Sequence, residues 1–338
     1  LYKTNTSKKN FLHFKSYANE IKKMFKNRNT KILDIASNDG TFLNFFEKKK
    51  FFRLGIDPAK NLKKLSLKKG ITQIDDFFTM KKSENIKKKY GKFDIITANH
   101  VCAHVEDLND FFNGVQNLLK DEGLFVFEIS YRASVLKKNT FDTIYHEHLD
   151  YHALYPISKF VKKFNLNVVN FKTPDAQGGS LRVYVSKNKN SKNQKSIKKQ
   201  ILKEKKQLNL FNVSTYKKFE KKIINCKNKL NSLIQNCINN NMSIAGYGAA
   251  AKTTTFLNYF KISEKNIKFI FDDNKLKQGL CIPGTKIKIL DPLNMNKKNI
   301  DVLIIFAWNY AELIIAKNKK FKKKGGKFLI PFPNPRLI

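Results

Sequence analysis

The 338-residue chain carries 66 Lys and Arg against 27 Asp and Glu, a formal net charge of +39, and 41% of its residues are hydrophobic. That length allows two or three domains with ample core, and no apolar run approaches the roughly 18 residues of a membrane span. Arg is scarce, the lysines are spread over nearly every presumed helix and loop, and no RNA-binding aromatic motif stands out, so the charge alone does not indicate nucleic acid.

In chain order, Asn10 to Phe25 reads as an amphipathic helix. Lys31 to Ile35 reads as a short buried strand, and Thr41 to Lys49 as the helix that follows. Between them, Asn38, Asp39 and Gly40 form a tight turn. Asp34 then stands at the carboxyl end of the strand, where open α/β sheets bind ligands. FFRLGIDP is a second strand ending in Asp57, about 20 residues beyond the loop, where an acid can bind a ribose diol. This pattern suits a nucleoside-bearing cofactor, either NAD or S-adenosylmethionine; an ordinary strand-turn-helix without a ligand is the plain alternative. Two details favour S-adenosylmethionine. Ala36 to Gly40 supplies one glycine rather than the G-x-G-x-x-G that close approach to a pyrophosphate needs. Asp34 and Asp39 would repel a pyrophosphate, yet a carboxylate there suits the amino group of a methionine moiety.

FDIITANHV (93–101) is a further strand, LNDFFNGVQNLLK (108–120) an amphipathic helix and GLFVFEIS (123–130) another buried strand, an alternation that argues for a parallel sheet. FDTIYHEHLDY (141–151) follows. It gathers Tyr145, His146, Glu147, His148 and Tyr151 in a chain with six histidines, which points to acid/base chemistry; a polar turn is the plain reading. Leu181 to Val185 reads as a strand. Residues 188–240 are Lys-rich with apolar residues at helical spacing, among them Ile201, Leu208 and Phe211. SIAGYGAAAKTTTFLNYF opens a second strand-turn-helix unit, in which Gly246 and Gly248 make a partial dinucleotide-type turn. The four cysteines, Cys102, Cys226, Cys237 and Cys281, form no C-x-x-C pair, and Cys102 reads as a small buried residue. His13, His100 and His152 read as local packing or surface polarity.

LDIASNDGTFL, GIDPAKN, NHVCAHVEDLNDF, FDTIYHEHLDY, GGSLRVYV and GYGAAAKTTTFLNYF, along almost the whole chain, resemble the C-methyltransferases that act on nucleotide-activated keto-deoxysugars. The resemblance implies an α/β protein. A Rossmann-like S-adenosylmethionine-dependent methyltransferase domain is followed by a second Rossmann-like α/β C-terminal domain. The expected organisation is a helical lead-in (1–30), a cofactor-binding domain with a catalytic insert (31–187), a Lys-rich helical connection (188–240) and a C-terminal α/β domain (241–338). The family begins with a small zinc-binding domain. LYKTNTSKKNF resembles the segment just after it, so zinc and other metals are expected to be absent from these residues.

By motif match, the resemblance implies acid/base and orienting roles for His148, Glu147, Tyr145 and His104, with His148 as the base. Asp34, Ala36, Asn38 and Gly40 are expected to line the methionine end of the cofactor and Asp57 its ribose. Asp76, Phe77 and Asn99 complete that site, Phe77 having an ordinary core aromatic as its plain reading. Tyr2 resembles an active-site tyrosine of the family, and Arg182 and Lys252 are candidate pyrophosphate contacts; either cation could equally be a surface charge. A nucleotide-linked sugar, probed first as a thymidine diphosphate, is the expected partner, without membrane or nucleic acid, in the cytoplasm. The competing readings are methylation of another small molecule or RNA, and an NAD-dependent sugar oxidoreductase using the Gly246–Gly248 turn.

Overall fold

The computed structural model describes residues 8–25, 29–189 and 191–338. These form two compact units: residues up to Ser134 together with Glu147–Phe211, and Val135–His146 together with Asn212–Ile338.

In the first unit, helix α1 (Lys8–Met24) leads into strand β1 (Thr30–Ile35). Strand β2 (Phe51–Ile56), helix α2 (Lys60–Lys68), strand β3 (Thr72–Ile74), helix α3 (Met80–Tyr90) and strand β4 (Phe93–Asn99) follow. Then come α4 (Leu108–Leu118), β5 (Leu119–Ser130), α5 (Arg132–Lys138), which passes into the second unit after Ser134, α6 (Leu154–Phe160), β6 (Asn167–Lys172), β7 (Ser180–Ser186) and α7 (Gln194–Leu202). The sheet order is β3-β2-β1-β4-β5-β7-β6, parallel except that β7 runs antiparallel to both its neighbours. Strand order reverses between β1 and β4, so the crevice at their carboxyl ends is where such a sheet offers a ligand site.

Phe14, Tyr17, Ala18 and Ile21 repeat at three- and four-residue spacing and turn one face of α1 into the core. That face packs with Phe42, Leu43, Phe46, Phe51 and Tyr184. The same core explains why the helix expected over 41–49 is only a tight turn at Leu43–Phe45. Phe42, Leu43 and Phe46 are all buried, and burying three large side chains within five residues outweighs the small helix propensities of this stretch. Side chains stop and start the other helices. Thr79 Oγ1 accepts from Lys82 N–H at the start of α3, which ends at Gly91 in the left-handed region, and Asp107 Oδ1 caps α4.

In the second unit, helix α8 (Val213–Asn239) buries Phe219, Ile223, Cys226, Leu230, Ile234 and Cys237 along one stripe, and Asn212 caps its first turn. Strand β8 (Ile244–Tyr247), helix α9 (Ala251–Phe260), strand β9 (Phe269–Phe271), strand β10 (Lys288–Leu290) and strand β11 (Val302–Ile305) come next. Helices α10 (Ala311–Lys317) and α11 (Lys319–Lys323) and strands β12 (Lys327–Ile330) and β13 (Arg336–Leu337) complete it. The second sheet has the order β10-β9-β8-β11-β12-β13, parallel but for β13. Residues 135–146 belong to this unit: the ring of Phe141 packs on those of Phe256, Phe260 and Phe332. No helix among the described residues is long and apolar enough to cross a membrane.

Candidate active site

Asp34 is the penultimate residue of β1 and is almost fully buried. It accepts hydrogen bonds from Thr97 Oγ1 at 2.6 Å and Asn99 Nδ2 at 3.4 Å, both on the adjacent β4. Burial nevertheless pushes its carboxyl up to about 7, with the nearby Asp57 charge adding to the effect. Beside it, the buried Asn99 Oδ1 has no hydrogen-bond partner. A raised carboxyl next to an unpartnered acceptor is a site that a cationic amino group would complete.

The loop after β1 holds Ala36 and Asn38 at φ 58° and 52°, and Gly40 at 72°. Left-handed geometry at Ala36 carries strain that local contacts must hold. Ala36 and Ser37 N–H both donate to Ile56 O, and Asn38 N–H donates to Asp57 Oδ2 at 2.9 Å. Gly40 cannot be replaced cheaply, because its φ of 72° is one that side chains rarely adopt, and a Cβ there would also lie 2.8 Å from Ile71 Cδ1. Asp57 also accepts from Ala59 N–H at 2.9 Å, so it braces the loop that it shares with Asn38. Asp39 is buried and spent locally: it accepts from Thr41 N–H and pairs with Lys69. After β3, Asp76 pairs with Lys82, which holds its carboxyl below the usual range. Phe77 is 70% exposed, which removes the core-aromatic reading and leaves a ring face open to a ligand.

The remaining acid/base groups of this unit meet in loops. His104 Nδ1 lies 2.6 Å from Glu147 O; a carbonyl only accepts, so Nδ1 carries the proton of this bond. The rings of His104 and His148 have centroids 4.9 Å apart, and His148 also lies against Tyr151. Leu149 N–H donates to Ala103 O at 2.8 Å, tying this segment to the loop after β4.

A model of the C-methyltransferase C-terminal domain matches residues 175–333, and a methyltransferase-domain model matches residues 11–170. The C-methyltransferase NovU of Streptomyces niveus is 31% identical over 307 residues, covering 91% of this chain and 73% of NovU. The chain belongs to the C-methyltransferase family. It is an S-adenosylmethionine-dependent methyltransferase with the two α/β domains of that family. Among solved structures, PH0226 from Pyrococcus horikoshii OT3 is similar at TM-score 0.44 and 16% identity, over 55% of this chain and 94% of that one. The plantazolicin methyltransferase BpumL is similar at TM-score 0.41 and 14% identity, over 53% of this chain and 84% of that one. Family membership removes the NAD-dependent oxidoreductase reading.

For this C-methyltransferase the structure redraws several residues. Arg182, a candidate pyrophosphate contact or surface charge, is neither. It is buried and donates to Glu128 Oε2 at 2.8 Å and Glu20 Oε2 at 3.2 Å, with its guanidinium 3.5 Å from the centroid of Tyr17. A cation held by two carboxylates and an aromatic face has no donor geometry left for a phosphate. The Gly246–Gly248 turn is explained by packing. A Cβ on Gly246 would meet Ile270 and Phe306 at 2.7 Å, and one on Gly248, at φ 97°, would meet Ala307 Cβ at 2.8 Å. Asp272 Oδ2 accepts from Ala249 N–H at 2.6 Å, so this backbone donor of the turn is already taken. Lys252, in the first turn of α9, lowers the carboxyl of Asp142, although burial pushes that group up overall. Trp308 Nε1 donates to Asp142 Oδ2 at 2.8 Å, all within the second unit. Tyr145 also belongs to the second unit, and Tyr2 lies outside the described residues. The Cys102 thiol is buried and pushed up to about 12, as suits a packing residue.

Glu128 was not singled out from the sequence, and the structure packs His13 and His100, read as local packing or surface polarity, against it. Glu128 is fully buried on β5, directly opposite Asn99 in register. His13 Nε2 lies 2.7 Å and His100 Nε2 3.4 Å from its Oε1. A carboxylate inside the apolar run LFVFEIS was the available signal, since such a group is buried only with partners.

Proposed function

We propose that the protein methylates carbon in a nucleotide-linked 4-keto-deoxysugar. The observation that carries this reading is the pairing of His104 with Glu147 and His148 in a chain of the C-methyltransferase family. A carbon nucleophile arises when the acidic proton beside a keto group is removed. His148 is the proposed base, because an imidazole exchanges protons near neutral pH. His104, its Nδ1–H fixed on Glu147 O, stands beside it and shapes the position from which it acts. Glu147 is proposed to orient the sugar around the developing enolate.

On the cofactor side, Asp34 and Asn99 would take the amino group, and the 36–40 loop, with Ala36, Asn38 and Gly40, the methionine end. Asp57 would take the ribose hydroxyls, and Asp76 and Phe77 the adenine. When bound, S-adenosylmethionine supplies an electrophilic sulfonium methyl. The enolate carbon must meet it in line, so positioning matters as much as basicity.

Incubation with S-adenosylmethionine and thymidine-diphosphate 4-keto-6-deoxyglucose, followed by mass spectrometry, is expected to show one added methyl group. The carbon position follows from NMR of the product. His148→Ala is expected to lower turnover about 100-fold or more while S-adenosylhomocysteine binding persists. Near-normal turnover by that variant would remove the base assignment.

A further inference from the structure

A keto sugar losing its α-proton needs a donor at the carbonyl oxygen as well as a base at carbon. The carboxyl end of β4 holds an unassigned histidine suited to that task. His100 follows Asn99 directly, at the β1/β4 reversal, beside the Asn99–Asp34 pair. Its backbone is left-handed, φ 53°, and is held by a 2.7 Å bond from its N–H to Glu128 O. A strained non-glycine residue at a ligand crevice is a pointer to function.

The side chain is oriented as well. Nε2 of His100 lies 3.4 Å from Glu128 Oε1; a carboxylate only accepts, so a protonated Nε2 suits this contact and leaves Nδ1 as the nitrogen to work. The His100 side chain is 25% exposed, whereas Glu128 is sealed. Burial alone would push the Glu128 carboxyl up, but hydrogen bonds from His100 and His13 and the charge of Arg182 outweigh it and hold the group well below the usual range. Glu20 and Glu128 stand against two cations, the buried Arg182 and the half-exposed Lys172, which pairs with Glu20 at 2.8 Å.

We propose that His100, oriented by Glu128, is the general acid at the keto oxygen of the acceptor. This rests on the keto-sugar reading. The C–H bond breaks and its proton passes to His148. The imidazolium of His100 gives its Nδ1 proton, wholly or as a strong hydrogen bond, to the oxygen that gains the electron pair. When the carbon–carbon bond forms and the methyl–sulfur bond breaks, the carbonyl is restored and the proton returns to His100. The proton on His148 leaves to solvent.

The experiment follows hydrogen exchange beside the keto group of thymidine-diphosphate 4-keto-6-deoxyglucose in deuterium oxide, with S-adenosylhomocysteine present, alongside full methylation. His100→Gly suits the left-handed backbone and opens space for free imidazole. Exchange and methylation are expected to fall about 100-fold, with S-adenosylhomocysteine affinity kept and imidazole in the buffer restoring part of the rate. His100→Asn, which tolerates the backbone but moves no proton, should stay slow. Gly-variant rates within about twofold of wild type, failure of imidazole to restore them, or wild-type rates in the Asn variant would each overturn the proposal. Wild-type protein inert toward the sugar in both assays overturns the keto-sugar reading and this proposal with it.

Discussion

Burial lifts the carboxyl of Asp34 to about 7, so below that pH the residue holds a proton and above it an uncompensated charge. A ligand ammonium favours the ionised form. Binding below about 7 must therefore expel a proton, and affinity rises with pH toward that value and levels above it. Calorimetry with S-adenosylhomocysteine from about pH 5.5 to about pH 8 should show that slope, and Asp34→Asn should abolish it. The ligand-free fold has the opposite dependence. A native value above the ordinary 3.8 means the native state binds more protons across that window, so stability falls as pH rises from about 4 to about 7. Thermal unfolding of Asp34→Asn should lack that fall; an unchanged fall would assign it to another group.

At the scale of elements, Trp308 and Asp142 tie the 3-10 turn at Phe141–Thr143 to the rest of the second unit. Trp308→Phe keeps the ring on Phe332 but removes the indole donor, and Asp142 Oδ1 already lacks a partner. The expected cost is about 1–3 kcal/mol, seen as faster amide hydrogen exchange at residues 141–143. Unchanged protection there would show that the aromatic packing of Phe141 suffices. Elements of this kind differ in how readable they are from sequence. The strands β1, β4 and β5 and the stripe of α8 show directly as apolar runs or periodic spacing. The turn at 43–45 does not, because its buried phenylalanines are satisfied by a helix far away in sequence. Asp34 and Asn99 were legible because strand ends near a glycine turn mark a crevice. The His13–Glu128 pair, 115 residues apart, depends on strand register and helix placement, which local pattern does not carry. Arg182 was misread for the same reason. A single cation in the apolar strand LRVYV signals a buried partner, but the partners lie on α1 and β5.

Over the whole molecule the net charge is +39, and a nucleotide-linked substrate is an anion. Long-range attraction between them is screened over roughly 10 Å at 0.1 M salt. KM for the proposed nucleotide-sugar substrate is expected to rise severalfold between about 0.05 M and about 0.5 M salt, with kcat changing less. A KM indifferent to salt would mean that close contacts alone carry the affinity.

The inserted segment Val135–His146 has a consequence for how such a protein can be divided. The chain passes between its two units after Ser134, after His146 and after Phe211, so no single cut yields two complete pieces. A product ending at Phe211 would keep residues 135–146 but lack Phe256, Phe260 and Phe332, the rings that receive Phe141. Joining two independent genes end to end cannot make this connectivity. Shuffling of halves between relatives is expected to work only where the segment and its aromatic bed travel together.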